Sequence, residues 1–280
     1  MECCGKQIWA NLTKESLGRL VIERPDEVIR GAVKANWDAI AKPLDGMGRF
    51  EEMTAQIGAI TEDERLDLSK KAVLIFCADN GIVAEGVSQA GQEVTLAVAK
   101  SMAKNASSVG RMARFAGADT IPVDIGINSD LTIDGVLDKK IAHGTRDFLI
   151  EPAMSEEETL GAIETGIALV AECKDKGYRI LATGEMGIGN TTTSSAVAAA
   201  LLGCKSALVV GRGAGLSDRG LARKREVVET AIKKYDLYKT DAFTVLRTVG
   251  GLDIAGLAGM CIGGALYHVP IVLDGVISMV

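Results

Sequence analysis

The chain has 280 residues, 48% of them hydrophobic and 24% charged, with a formal net charge of −6. These values call for one large globular domain, or one with a smaller appendage, and exclude a disordered chain. The acidic balance and the 4% aromatic content exclude a basic face or a stacking platform for nucleic acid, so any phosphate bound here is held locally.

Residues 1–70 read as a polar helical subdomain, broken by the turn-rich Lys42-Pro43-Leu44-Asp45-Gly46-Met47-Gly48-Arg49-Phe50. Thr61-Glu62-Asp63-Glu64 has capping-box spacing and predicts a helix start before a short amphipathic run. From Lys71 the pattern changes. Residues 72–76 are a continuous apolar run ending in Ala78-Asp79-Asn80-Gly81, as a buried parallel strand does when it reaches a loop. One helix is expected from about 92 to 115, then a strand over 120–127. Ser155-Glu156-Glu157-Glu158 caps a helix running to about Lys176.

A strand over 179–183 feeds the glycine turn Gly184-Glu185-Met186-Gly187-Ile188-Gly189-Asn190-Thr191-Thr192, and an Ala-rich helix follows to 202. Residues 207–210 predict a strand opening into Gly211-Arg212-Gly213-Ala214-Gly215, and Ser217 starts a charged helix through about Lys234. The longest uncharged piece near the end, 254–267, is shorter than the ~20 apolar residues a bilayer requires and predicts a buried core helix. A last strand is expected over 270–273, before Asp274-Gly275, and a helix in the apolar run that ends at Val280. Strands alternating with helices predict an α/β fold over residues 71–280: a Rossmann-like parallel sheet flanked by helices, with ligands beyond the carboxyl ends of the strands.

The strongest chemical signal is 184–195. Strand, glycine turn and helix present backbone N–H groups and a positive dipole end to an anion. The polar side chains from Asn190 to Ser195 add donors, and Glu185, a poor phosphate ligand, suits a catalytic or orienting role. The turn 211–215, with Arg212 and Lys224, offers a second cradle for the same phosphate, although glycines there also serve a tight turn alone. Neither turn has P-loop spacing, and the dinucleotide glycine pattern is imperfect. The polar loop 78–95 lines a site better than it serves as a plain connection. Asp124, Asp253 and Asp274 end or flank strands, where each equally caps a helix or closes an Asx turn. His143 is expected to be a loop histidine without chemical duty. The six cysteines lack C-x-x-C pairing and, with two histidines, give no zinc spacing; scattered thiols and an N-terminus without an apolar leader point to a reducing cytoplasm.

Together these motifs resemble the nicotinate-nucleotide:dimethylbenzimidazole phosphoribosyltransferases of cobamide assembly. The resemblance is carried by 184–195, 79–95, 211–218 with Lys224, and Leu273-Asp274-Gly275; Leu44-Asp45-Gly46-Met47-Gly48-Arg49 looks like a drifted form of the family's Pro-Gly-Ser-Leu-Gly-Arg turn. It implies transfer of phosphoribose from nicotinate mononucleotide to a benzimidazole-type base, giving nicotinate and an α-riboside 5′-phosphate. By the same resemblance the phosphate rests on Gly187, Ile188, Gly189, Asn190, Thr191 and Thr192 and on Gly211, Arg212, Gly213 and Gly215, with Lys224 as counter-charge. Ser88, Gln92 and Met186 meet the base, Asp253 and Asp274 complete the binding set, and Glu185 is the catalytic carboxylate. No metal or other cofactor is implied, because the pyridinium leaving group is already cationic; a homodimer is. Family members continue past the Leu-Asp-Gly strand to a Gly-rich segment bearing a glutamate usually assigned as general base, and no residue here matches it. A homologue that binds the mononucleotide without efficient transfer is therefore the alternative, followed by an unrelated sugar-phosphate enzyme.

Overall fold

The structure, a computed structural model, describes residues 12–280. Cys3, Cys4 and the rest of the N-terminus read above for a leader lie outside the described residues. The first helices are α1 (Lys14–Gly18), α2 (Glu27–Asp38) and α3 (Arg49–Thr61). Asp26 caps α2, accepting the N–H groups of Val28 and Ile29. Trp37 donates to the Thr54 hydroxyl at 2.7 Å and meets Phe50 edge-on, which fixes α2 against α3. Lys34 adds ion pairs to Asp38, Asp45 and Glu51.

Thr61 closes α3 rather than capping a new helix. Its hydroxyl donates back to the Ile57 carbonyl at 2.9 Å, and Glu62 adopts a left-handed C-cap at φ 56°. The run after it contains no helix.

The sheet begins with β1 (Lys71–Ala78) and a 3₁₀ turn (Gly81–Glu85). Then come α4 (Glu93–Ala103), α5 (Ser108–Ala116), β2 (Asp119–Gly126) and β3 (Leu137–Asp138). The helix expected over 92–115 is thus two. Asn105 turns left-handed at φ 51°, and the Ser107 hydroxyl accepts from the Gly110 N–H to start α5. Further on lie α6 (Glu156–Asp175), β4 (Ile180–Met186), α7 (Asn190–Leu202), α8 (Ser206–Val209), α9 (Asp218–Lys234), α10 (Ala242–Val249), α11 (Leu252–Leu266), β5 (Ile271–Val272) and α12 (Val276–Met279). The strand expected at 207–210 is the helical turn α8, closed by the Val210 N–H on the Ser206 carbonyl at 2.9 Å. A four-residue apolar run fits either state, and the edge beside β4 belongs to β5.

All strands are parallel, in the order β3-β2-β1-β4-β5. From β1 the chain winds to one edge, and from β4 to the other, so the switch point lies between these two strands. A crevice opens there beyond their carboxyl ends. Leu74, Ile75, Phe76 and Cys77 are buried to 1% exposure or less, as a strand covered on both faces must be.

Helix α11 runs beneath the sheet against α6, and the two backbones touch. A Cβ on Gly259 would stand 2.0 Å from the Ile163 carbonyl oxygen, and one on Gly166 2.2 Å from that of Gly256. Only glycine admits that approach. Among the described residues no helix is long and apolar enough to cross a membrane.

Candidate active site

The crevice at the switch point is closed by the end of β1 on one side and the turn after β4 on the other. Asn80, just past β1, donates through Nδ2 to the Ile188 carbonyl at 3.3 Å, while the Ile188 N–H reaches the Thr95 hydroxyl at 3.1 Å. The turn is thereby held from both sides. Gly189, at φ 95°, turns the chain into α7 so that the first N–H groups of that helix face the crevice.

Ser88, Gly187, Ile188, Gly189, Asn190, Thr191, Arg212, Gly213 and Lys224 surround one cleft of ≈ 90 Å³, a volume suited to a phosphoryl group. Lys224 enters from α9 with 1% of its surface exposed and donates to the Thr191 hydroxyl at 2.7 Å. Among the described residues that neutral hydroxyl is its hydrogen-bond partner, and burial pushes the ammonium down to about 8. A buried cation beside a helix N-terminus, without a carboxylate, is an incomplete ion pair awaiting an anion. The Thr192 hydroxyl, also buried, lacks a hydrogen-bond partner among the described residues. Arg212 borders the cleft with its guanidinium committed to the Leu216 carbonyl at 2.8 Å and to Asp218. Gly211 is exposed beside the cleft, and the Gly215 carbonyl accepts from Gln89.

Glu185, half-buried in β4, lies behind the turn. Burial raises its carboxyl above the usual range; the Asn190 hydrogen bond opposes this and the negative charge of Asp274 adds to it. The Asn190 amide nitrogen bridges two acids, donating to Glu185 and, at 3.0 Å, to Asp253. Asp253, fully buried in the first turn of α11, is pushed up to about 7 by burial and then by Glu185. Met186 ends β4 against the apolar side of α4, and Asp274 is exposed past β5, its N–H on the Thr183 hydroxyl at 3.0 Å. Gln92 is not among the residues lining that cleft: it donates to the Asn80 carbonyl at 3.2 Å and accepts from Asn128 at 3.1 Å. His143 stays on a loop, facing Asp130 at 3.7 Å.

Sequence reasoning took Asn80, Gln89 and Thr95 only as parts of the polar loop 78–95, without a role for each, and passed over Arg223. Arg223 pairs with Glu85 and donates to its carbonyl at 3.3 Å, tying the 3₁₀ turn to α9. For Asn80 a further signal existed, an amide placed directly after a buried strand; Thr95, inside a helix, carried no sign of its bond to the Ile188 N–H.

Known proteins fit this geometry. The phosphoribosyltransferase family model DBI_PRT matches residues 22–280. The nicotinate-nucleotide–dimethylbenzimidazole phosphoribosyltransferase of Acetivibrio thermocellus is 44% identical over 269 residues, which is 95% of this chain and 74% of that protein. Its counterpart from Clostridium perfringens is 41% identical over 259 residues, 92% of this chain and 72% of the relative. A crystal structure of CobT from Thermus thermophilus superposes with a TM-score of 0.84 at 32% identity, covering 90% of this chain and 75% of that one. Sheet order, anion cleft and these likenesses agree, and the chain belongs to the DBI_PRT family of phosphoribosyltransferases.

Proposed function

We propose that the chain transfers phosphoribose from nicotinate mononucleotide to 5,6-dimethylbenzimidazole or a related base, in assembly of the cobalamin nucleotide loop. The observation that carries this reading is the buried Lys224 ammonium at the mouth of α7, paired with a neutral hydroxyl. A 5′-phosphate supplies the missing charge, received by the 187–192 turn and the N–H groups of α7, with Gly213 close by. The ribose then extends from that cleft toward Glu185. The nicotinate ring leaves as a neutral pyridine, because the bond to C1′ already makes it cationic. The incoming base attacks C1′ from the opposite face and gives its ring proton to a carboxylate; the raised carboxyl of Glu185 is matched to that task. Holding both partners in line supplies much of the remaining rate.

Residues 1–70 would form a helical subdomain on the α/β transferase domain of residues 71–280. We place the protein in the cytoplasm, where Cys77, Cys173, Cys204 and Cys261 remain free thiols. It would work as a homodimer, a role for the exposed apolar side chains Met112 and Phe115 of α5. Incubation with nicotinate mononucleotide and dimethylbenzimidazole should release nicotinate and α-riboside phosphate together. Tight binding of the mononucleotide without nicotinate release would leave a binding protein; no binding would leave a different sugar-phosphate enzyme.

A further inference from the structure

Asn80 and Asp253 each hold a buried oxygen beside Gly251. The Asn80 side chain is fully buried, its Nδ2 is engaged by the Ile188 carbonyl, and among the described residues its Oδ1 has no hydrogen-bond partner. Asp253 is equally buried. Its Oδ2 accepts from Asn190, and its Oδ1 accepts from the adjoining Ile254 N–H at 3.0 Å. Both Oδ1 atoms crowd the same space beside Gly251: a Cβ there would lie 2.5 Å from that of Asp253 and 2.6 Å from that of Asn80. Two acceptor oxygens facing each other without water access repel unless one carries a hydrogen. Turning the Asn80 amide over would set its oxygen against the Ile188 carbonyl, so Asp253 is the group beside Asn80 Oδ1 able to offer it a hydrogen.

We infer that Asp253 is a positioning residue which holds a proton on Oδ1, hands it as a hydrogen bond to Asn80 Oδ1, and through Asn190 fixes the Glu185 carboxylate at the crevice. The relay runs Asn80–Asp253–Asn190–Glu185 and joins β1, α11, α7 and β4 at the switch point. The protonated Asp253 donates to Asn80 and accepts from Asn190, and Asn190 uses its two amide hydrogens on the two acids. Each member thus has a complementary partner. The titratable groups that bear on Asp253 are acidic or neutral: Glu185 from β4 acts on it directly, and the Cys77 thiol from β1 senses Asp253, Glu185 and Asp124. The proton on Asp253 is what keeps the bridge from holding two anions. Ionisation of Asp253 on raising the pH places a second negative charge beside Glu185 and drives Asn80 away.

The kinetic arm of the test rests on the phosphoribosyl transfer proposed above; the spectroscopic arm does not. Infrared spectra of the whole protein at about pH 6 should show a protonated-carboxyl C=O band that Asp253→Asn removes and that fades as the pH passes about 7. A wild-type spectrum without that band, or a band unchanged in Asp253→Asn, overturns the assignment. In turnover, Asp253→Ala should lower kcat by about tenfold or more with a small change in KM. Asp253→Asn still offers an N–H to Asn80. It should recover a large part of that loss and erase the alkaline limb of the kcat–pH profile. Folded Asp253→Asn protein with the alkaline limb intact, or with no recovery over Asp253→Ala, overturns the positioning role. Absence of wild-type turnover bears on the transfer reaction, and the infrared band still decides the proton.

Discussion

Replacing Lys224 by methionine should make the empty protein more stable while abolishing its response to phosphate. The side chain is 1% exposed, and burial lowers its pKa from 10.5 to about 8. That displacement corresponds to about 3 kcal/mol of penalty for holding the ammonium in the folded state. The folded pKa lies below the unfolded one, so the penalty is full below about pH 8, shrinks up to 10.5 and is absent above it. Losing the hydrogen bond to Thr191 takes back about 1 kcal/mol, and methionine fills most of the volume. The net gain near neutral pH is about 2 kcal/mol, or roughly 4–8 °C in Tm. Thermal melts should also show wild-type Tm rising with a 5′-phosphate ligand by about 2.7 kcal/mol equivalent at a hundredfold excess over Kd, and no such rise for Lys224→Met. A variant that melts below wild type at neutral pH, or that keeps the phosphate response, refutes the view of Lys224 as a counter-charge without its anion.

Glu185→Gln should keep mononucleotide affinity but lower kcat by about 10²–10⁴-fold, read from nicotinate release in steady state; an unchanged kcat removes Glu185 from proton transfer. The folded Asp253 carboxyl lies at about 7 against 3.8 in the unfolded chain, so its contribution to stability is full below 3.8 and is lost as the pH rises through about 7. The Tm advantage of Asp253→Asn over wild type should therefore widen between about pH 5 and pH 8, and a pH-independent difference would contradict the raised carboxyl. Gly259→Ala must push a methyl into the Ile163 carbonyl, 2.0 Å away, and should cost about 3 kcal/mol or more in urea melts with the m-value unchanged. A mild effect would mean that α6 and α11 part easily.

The alternating pattern and the glycine turn were legible from residue order because both are local. β1 announces itself as an apolar run stopped by Asp79, and Ser155 and Ser217 cap the helices expected of them. The errors arose where a local pattern admits two states. The 207–210 run is too short to separate strand from helical turn, and the reading of Thr61 depended on which way its hydroxyl would bond. Within the site, Lys224 and 187–191 line one cleft: the turn follows the carboxyl end of β4 and enters α7, and Lys224 reaches in from the second turn of α9. The bridge from Asn190 to Asp253 spans 63 positions. It was out of reach, since nothing local to Asp253 distinguishes it from a helix-capping aspartate.

The backbone contact between α6 and α11 divides the enzyme into a part that resists adaptation and a part that invites it. Where carbonyl meets glycine, no rotamer intervenes to absorb a change of shape, so the position of the Asp253 end of α11 is inherited from peptide dimensions. Across the crevice, the loop at 85–89 is tied to 215–223 by the single side chains Gln89 and Arg223, each reaching a carbonyl. Such ties can be exchanged one residue at a time. Redesign toward a base of another shape therefore belongs on the loop side, with the helix pair left as the fixed reference against which each new fit is measured.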